Sequence, residues 1–215
     1  MEHLLKNEAQ PALGQSEAKT MFRQHAGILL LLLFAALTQN AIAQDAADEP
    51  VWSALKAGGH VVLIRHAVTE PGIGDPPGFR LGDCSTQRNL SAQGRADAQS
   101  IGKTFRRRGI PVSDVLSSRW CRCLDTAQLA FGRAMPAAML DSMFNDDDPK
   151  RNGEKIRAVK AAIARRSTSG NLVLVTHNRN IQALTGVSPS SGEMVVVLPD
   201  ARGELKVVGR LVPRP

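Results

Sequence analysis

Apolar residues along this chain follow two patterns that take turns. Short runs rich in Val, Ile and Leu occur at His60–Ile64, Val112–Leu116, Leu172–Val175, Glu193–Leu198 and Leu205–Leu211. They have the length and branched character of buried strands. Between them lie stretches of helical period. Ser91–Arg108 carries Ala92, Ala96, Ala98, Ile101 and Phe105 on one stripe and opens on Ser91, a capping residue. Further helices are expected in SSRWCRCLDTAQLAFG after Leu116, over Glu154–Arg166 with Ile156, Val159, Ala162 and Ile163 on one face, and over Asn180–Thr185. Ala137–Leu140 reads as a short strand and DARGE as the turn between the last two strands. Strand alternating with helix predicts an α/β fold, a three-layer α/β/α sandwich around a mostly parallel sheet.

Two stretches break this pattern. Val68–Asn89, VTEPGIGDPPGFRLGDCSTQRN, is rich in Gly and Pro and has neither period. A loop of this length in a compact domain is usually functional or disordered, and its start beside Arg65 and His66 favours a functional lid. The other is Ala26–Leu37, an unbroken apolar run preceded by Arg23 and His25 and followed by Ala41-Ile42-Ala43. It is shorter than the roughly 20 residues that span a bilayer. A basic flank, a short apolar core and a small-x-small end read as a secretory signal. Residues 1–43 are therefore expected to be an N-terminal extension and signal peptide, with Met21 an alternative start, and 44–215 one exported domain, periplasmic or secreted. No stable membrane insertion is expected after cleavage near Ala43.

The chain has 215 residues and a formal charge of +7. No nucleic-acid motif accompanies that charge, and few aromatics are present for base stacking. Nucleic acid is therefore not expected as a partner, whereas anionic small molecules are. The three cysteines are Cys84, Cys121 and Cys123. Cys121-x-Cys123 lacks a zinc-knuckle spacing and no second pair follows, so no metal site is expected. Export permits a disulfide, and an odd count leaves one thiol over. Cys121 starts its helix within reach of the lid, while Cys123 shares a small-residue face with Ala127 and Ala130. Cys84–Cys121 is the expected pair and Cys84–Cys123 the alternative.

After residue 43 the histidines are His60, His66 and His177. His66 and His177 each end an apolar strand, where ligands of open α/β sheets bind. Arg65 adjoins the first, and Arg122 sits in the first turn of the helix after VLSS. Arginine forks and a helix start both suit a phosphate, so these groups outline a pocket for phosphoryl transfer. Arg106, Arg107 and Arg108 read as a solvated helix end.

These residues resemble the histidine phosphatase superfamily, which includes the cofactor-dependent phosphoglycerate mutases. Arg65-His66-Ala67 matches the family's Arg-His-Gly. Ser117, Ser118, Arg122, Thr126 and Ala127 match its Ser-Ser-x-x-x-Arg-x-x-x-Thr-Ala, and Leu90, Ser91, Gly94 and Ala98 match a third segment. His177 matches its second histidine. The resemblance spans about Val61 to Leu198 and implies a phosphoglycerate mutase-like fold and a phosphohistidine on His66. It further implies a clamp of Arg65, Arg122 and His177 around the phosphoryl oxygens, and no metal or other cofactor. Another group should fix the His66 tautomer.

Two positions depart from the family. Ala67 replaces Gly, and Asn178 stands where one branch carries a proton-donating Asp. Glu193, at the start of a strand that ends at the site if antiparallel, is the leading candidate acid, with Asp141 and the run Asp146–Asp148 behind it. Arg80 and Arg88 on the lid are expected to select substrate. The expected activity is phosphomonoester hydrolysis on a small-molecule or glycolipid phosphate. Alternatives are a lipopolysaccharide or sugar phosphate, a phosphohistidine, or a non-catalytic phospho-ligand binder.

Overall fold

The computed structural model describes residues 46–144 and 146–212. By its contacts the chain forms two units, Met1–Ala47 and Asp48–Pro215. The expected signal segment lies outside the described residues. Among the described residues no helix is long and apolar enough to cross a membrane.

The second unit is built on six strands. They are β1 (Val61–Arg65), β2 (Val112–Ser117), β3 (Met135–Pro136), β4 (Asn171–Thr176), β5 (Met194–Pro199) and β6 (Leu205–Leu211). Their order is β3-β2-β4-β1-β5-β6. The pairs among β1 to β4 are parallel, and β5 and β6 add antiparallel pairs at one edge. The helices are α1 (46–57), α2 (Ala92–Arg108), α3 (Cys121–Phe131), α4 (Pro149–Ala164) and α5 (Asn178–Thr185).

Strand alternation sorts the core into two faces. Val62, Ile64, Val173 and Val175 pack with Trp52, Ile101, Phe105 and Ala127 of α1, α2 and α3. Val61, Leu63, Leu172 and Leu174 pack with Val159, Ile163, Ile181 and Leu184 of α4 and α5. The central strands are therefore buried on both sides, which is why they read as continuous apolar runs rather than alternating ones. The expected three-layer α/β sandwich of phosphoglycerate mutase-like type is the architecture found.

Local chemistry moved several boundaries. Helix α4 starts at Pro149 rather than Glu154, because Asp148 accepts from the amides of Lys150 and Arg151 and proline suits the first helical position. Ala137–Leu140 is not a strand: the pairing ends at Pro136 and the chain turns into a 3-10 segment over Ala138–Leu140. Helix α5 begins two residues early, at Asn178. On α2 the buried face differs from the expected stripe: Ala92 and Ala96 are exposed and the buried positions include Gly94 and Gly102. A Cβ on Gly94 would lie 1.9 Å from the Val68 carbonyl oxygen, and one on Gly102 1.9 Å from that of Ala130. Glycine is used there for backbone approach, which an apolar-stripe reading does not register.

Candidate active site

The parallel register brings the carboxyl ends of β1, β2 and β4 to one edge of the sheet, Arg65 beside Thr176 and Ser117 beside Val175. His66 and His177 each follow one of these ends. Their ring centroids lie 5.4 Å apart and both residues are almost fully buried. Backbone pairing continues past the strands to hold them, with the His66 amide donating to the Thr176 carbonyl at 2.9 Å and the Ser118 amide to that of Val175 at 2.9 Å.

The His66 ring is oriented by its own backbone neighbour. Nδ1 lies 2.9 Å from the Ala67 carbonyl oxygen. A carbonyl only accepts, so Nδ1 carries the proton and the lone pair is left on Nε2. Burial, with a smaller contribution from Arg122 and Arg65, lowers the His66 pKa to about 3. His177 is held well below its ordinary value by burial and then by His66. Both imidazoles are therefore neutral at physiological pH. The Ala67 amide in turn donates to Thr126 Oγ1 at 3.1 Å, and that hydroxyl donates to the Arg122 carbonyl at 2.7 Å. The Thr of the α3 motif thus ties the His66 turn to the arginine helix. His177 Nε2 lies 2.9 Å from Ser118 Oγ and 3.5 Å from Cys123 Sγ.

The cavity here measures about 330 Å³ and is lined by Arg65, His66, Arg88, Arg122, His177, Asn178 and Arg179, among others. It gathers four guanidinium groups and, among the described residues, no carboxylate lines it. An anion is the ligand such a wall accommodates. Arg65 is steadied through Nη1 on the Pro189 carbonyl at 2.9 Å. Arg122 is almost fully buried. Its two Nη atoms donate to Asp75 at 2.7 and 3.1 Å, while Asp75 also accepts from the Arg88 amide at 3.0 Å and from Trp120 Nε1 at 2.9 Å. Burial is the largest single influence and would raise the Asp75 carboxyl, but the hydrogen bonds from Arg122, the Arg88 amide and Trp120 together with the Arg122 charge outweigh it and hold the carboxyl below its ordinary value. Asp75 escaped sequence reading because its loop has no period. Its neighbour Pro76 is a turn signal, not a chemical one.

The loop is anchored covalently. Cys84 and Cys121 form a disulfide with Cα atoms 5.6 Å apart, and Cys123 is a buried free thiol whose pKa burial pushes up to about 12. Gln87 Oε1 accepts from the Cys121 amide at 3.0 Å, so a loop side chain satisfies the start of α3, where Trp120 supplies no side-chain cap. Arg88 donates to Thr69 Oγ1 and to the Gly74 carbonyl while still lining the cavity.

Two expected residues stand elsewhere. Arg80 is exposed, pairs with Asp83 and lines neither this cavity nor its neighbour described below. Glu193 does lie at the catalytic end, since β5 runs antiparallel beside β1. Its carboxylate, however, accepts from Arg210 Nε and from the Ser190 amide at 2.8 Å, and it too lines neither cavity. Burial would raise its pKa, but the Arg210 hydrogen bond and that of Ser190 bring it below its ordinary value. An ionised, fully engaged carboxylate has no proton to donate, so the expected role of Glu193 as acid is not met. Asp141 is buried and held by the amide and guanidinium of Arg119, with Ser118 Oγ at 3.5 Å. Asp146 pairs with Arg151 and Lys155, and Asp148 caps α4.

Fold and site together define a phosphoglycerate mutase-like protein with paired histidines. Residues 61–146 match the family model of the histidine phosphatase superfamily (branch 1). Among solved structures, a phosphoserine phosphatase from Entamoeba histolytica in complex with 3-phosphoglyceric acid is similar with a TM-score of 0.52 and 14% identity. That match covers 71% of this chain and 96% of the other. The protein histidine phosphatase SixA complexed with tungstate is similar with a TM-score of 0.51 and 13% identity, over 72% of this chain and 97% of the other. At these identities the likeness is one of fold. No curated protein matches the sequence.

Proposed function

We propose that this chain is an exported phosphomonoesterase that works through a phosphohistidine on His66. The observation that carries the reading is the His66 ring itself. It is neutral, held by Nδ1 on the Ala67 carbonyl, and lines a cavity walled by Arg65, Arg88, Arg122 and Arg179. The Nε2 lone pair attacks phosphorus. A P–N bond forms as the ester P–O bond breaks, and the leaving oxygen takes a proton from solvent. Water then attacks phosphorus, the P–N bond breaks, and phosphate leaves while a water proton passes to solvent. Splitting one displacement into two is the gain of covalent catalysis. The guanidinium groups stabilise charge spreading onto the phosphoryl oxygens. Export is supported by the apolar run and small-x-small pattern at residues 26–43 and by the Cys84–Cys121 bond, which persists in oxidising compartments.

The test is turnover of p-nitrophenyl phosphate, whose leaving group needs little protonation, together with trapping of the intermediate. The wild-type protein should release phosphate and carry an acid-labile label at residue 66, and His66→Ala should do neither. Label retained by His66→Ala would overturn the assignment. A wild-type protein that binds phosphate esters without turnover would be a phospho-ligand binder instead.

A further inference from the structure

A second cavity, of about 990 Å³, adjoins the catalytic one and shares Ile73, Gly74, Arg122, Ser142 and Phe144 with it. Its chemistry differs from that of its neighbour. The cations that line it are Arg119, Arg122, Arg151 and Lys155, and each meets a carboxylate: Arg119 meets Asp141, Arg122 meets Asp75, and Arg151 and Lys155 meet Asp146. Glu154 supplies a further acid, so the wall carries no excess positive charge. Its exposed surface is instead apolar. Ile73 is 91% exposed, and Phe79, Leu81 and Phe144 are each more than a third exposed. Trp120 lines this cavity and packs against His177 of its neighbour. Its ring lies 5.8 Å from that of Phe79 and 5.5 Å from that of His177.

We infer that this second cavity receives the alcohol part of the ester, and that it selects a neutral leaving group with a flat apolar face over a polyhydroxylated or second-phosphate-bearing one. The inference rests on the proposed phosphatase reading and deepens it. A phosphoryl group in the guanidinium-walled cavity directs its ester oxygen toward the shared residues. An apolar ring beyond them covers Ile73, Phe79 and Phe144, which water otherwise wets. A second phosphate there finds only guanidinium and ammonium groups already engaged by carboxylates, and pays desolvation without a free partner. A sugar hydroxyl shell gains little from an aromatic and aliphatic wall.

Binding of non-hydrolysable phosphonates tests this without requiring turnover. Calorimetry on the wild-type protein would compare 3-phenylpropylphosphonate with ethylphosphonate and with a sugar phosphonate. The phenylpropyl compound should bind roughly tenfold tighter or more, the scale of burying one ring face. Phe79→Ala and Leu81→Ser, which line only the second cavity, should each reduce that advantage and leave ethylphosphonate affinity unchanged. Leu81 is 38% exposed, so its substitution leaves folding intact. Equal affinities, or a preference for the sugar phosphonate, would overturn the inference. Preferential binding of the phenylpropyl compound without p-nitrophenyl phosphate turnover would uphold the subsite and remove the phosphatase reading. No binding of any phosphonate would overturn both.

Discussion

At the residue scale, His66 and His177 are neutral because burial penalises the imidazolium more than any neighbour compensates. Their folded values lie below the unfolded value of about 6.5, so the unfolded chain takes up protons that the native state refuses. The stability they contribute is complete above pH ~6.5 and declines as pH falls from there toward about 3, the His66 value. The melting temperature should fall between pH 7 and pH 4, and His66→Gln should flatten that fall. An unchanged slope in the variant would mean that His66 does not titrate as burial dictates. Thr126 makes a second prediction at this scale. Thr126→Val keeps the shape but leaves the buried Ala67 amide without its acceptor. Chemical denaturation should show a loss of about 1–3 kcal/mol, and kcat should fall more than KM changes, because the turn that carries His66 loosens.

At the element scale, helix α2 is pinned at two glycines that admit other backbones. Gly94→Ala drives a methyl group into the Val68 carbonyl, two residues beyond His66, whereas Gly102→Ala drives one into the Ala130 carbonyl of α3. Each should cost about 1–3 kcal/mol, the usual cost of overpacking. Only Gly94→Ala should also depress kcat several-fold, since Val68 opens the loop over the site. Parallel measurement of stability and kcat for both variants checks this, and equal kcat in the two would show that the loop start is not coupled to His66. The same two glycines mark the limit of pattern reading. Periodicity found α2 and its Ser91 cap, which accepts from the Gly94 amide, yet it chose alanines for the packed face. Close backbone approach leaves no apolar residue to see.

At the scale of the whole molecule, the Cys84–Cys121 bond joins residues 37 apart along the chain and closes a segment that contains α2, β2 and the last six residues of the site loop. A chain-entropy estimate assigns such a closure about 4 kcal/mol. Cys84→Ser should therefore lower the unfolding free energy by up to that amount. It should also raise KM for p-nitrophenyl phosphate more than it lowers kcat, because Asp75 and Arg88 ride on the freed loop while His66 does not. A second prediction concerns the leaving group. Among the described residues no carboxylate lines the cavity of His66, and a positioned acid typically contributes roughly 10²–10⁴-fold on poor leaving groups. Across a series of phosphate esters, kcat/KM should drop steeply as the leaving-group pKa rises. A flat series would reveal a proton donor, and Asp141→Asn would then be the variant to make.

Hydrophobic patterning alone determined the layered α/β architecture, because strands buried on both faces must be apolar throughout and amphipathic helices must cover them. The ordered motifs around Arg65, His66, Arg122 and His177 were equally legible, since strand ends in a parallel sheet point to one edge wherever the strands pair. Only the tertiary structure decided which acids face the site. Glu193 begins its strand at the catalytic end, but a side chain at a strand end can turn to any partner within reach, and Arg210 on the neighbouring strand took it. Asp75 reached Arg122 from 47 residues away along the chain, through an aperiodic loop whose path depends on a disulfide, a bonded glutamine and turn geometry together. Long-range pairing of polar side chains leaves no local period in the sequence, and that is the physical reason it had to be found in three dimensions.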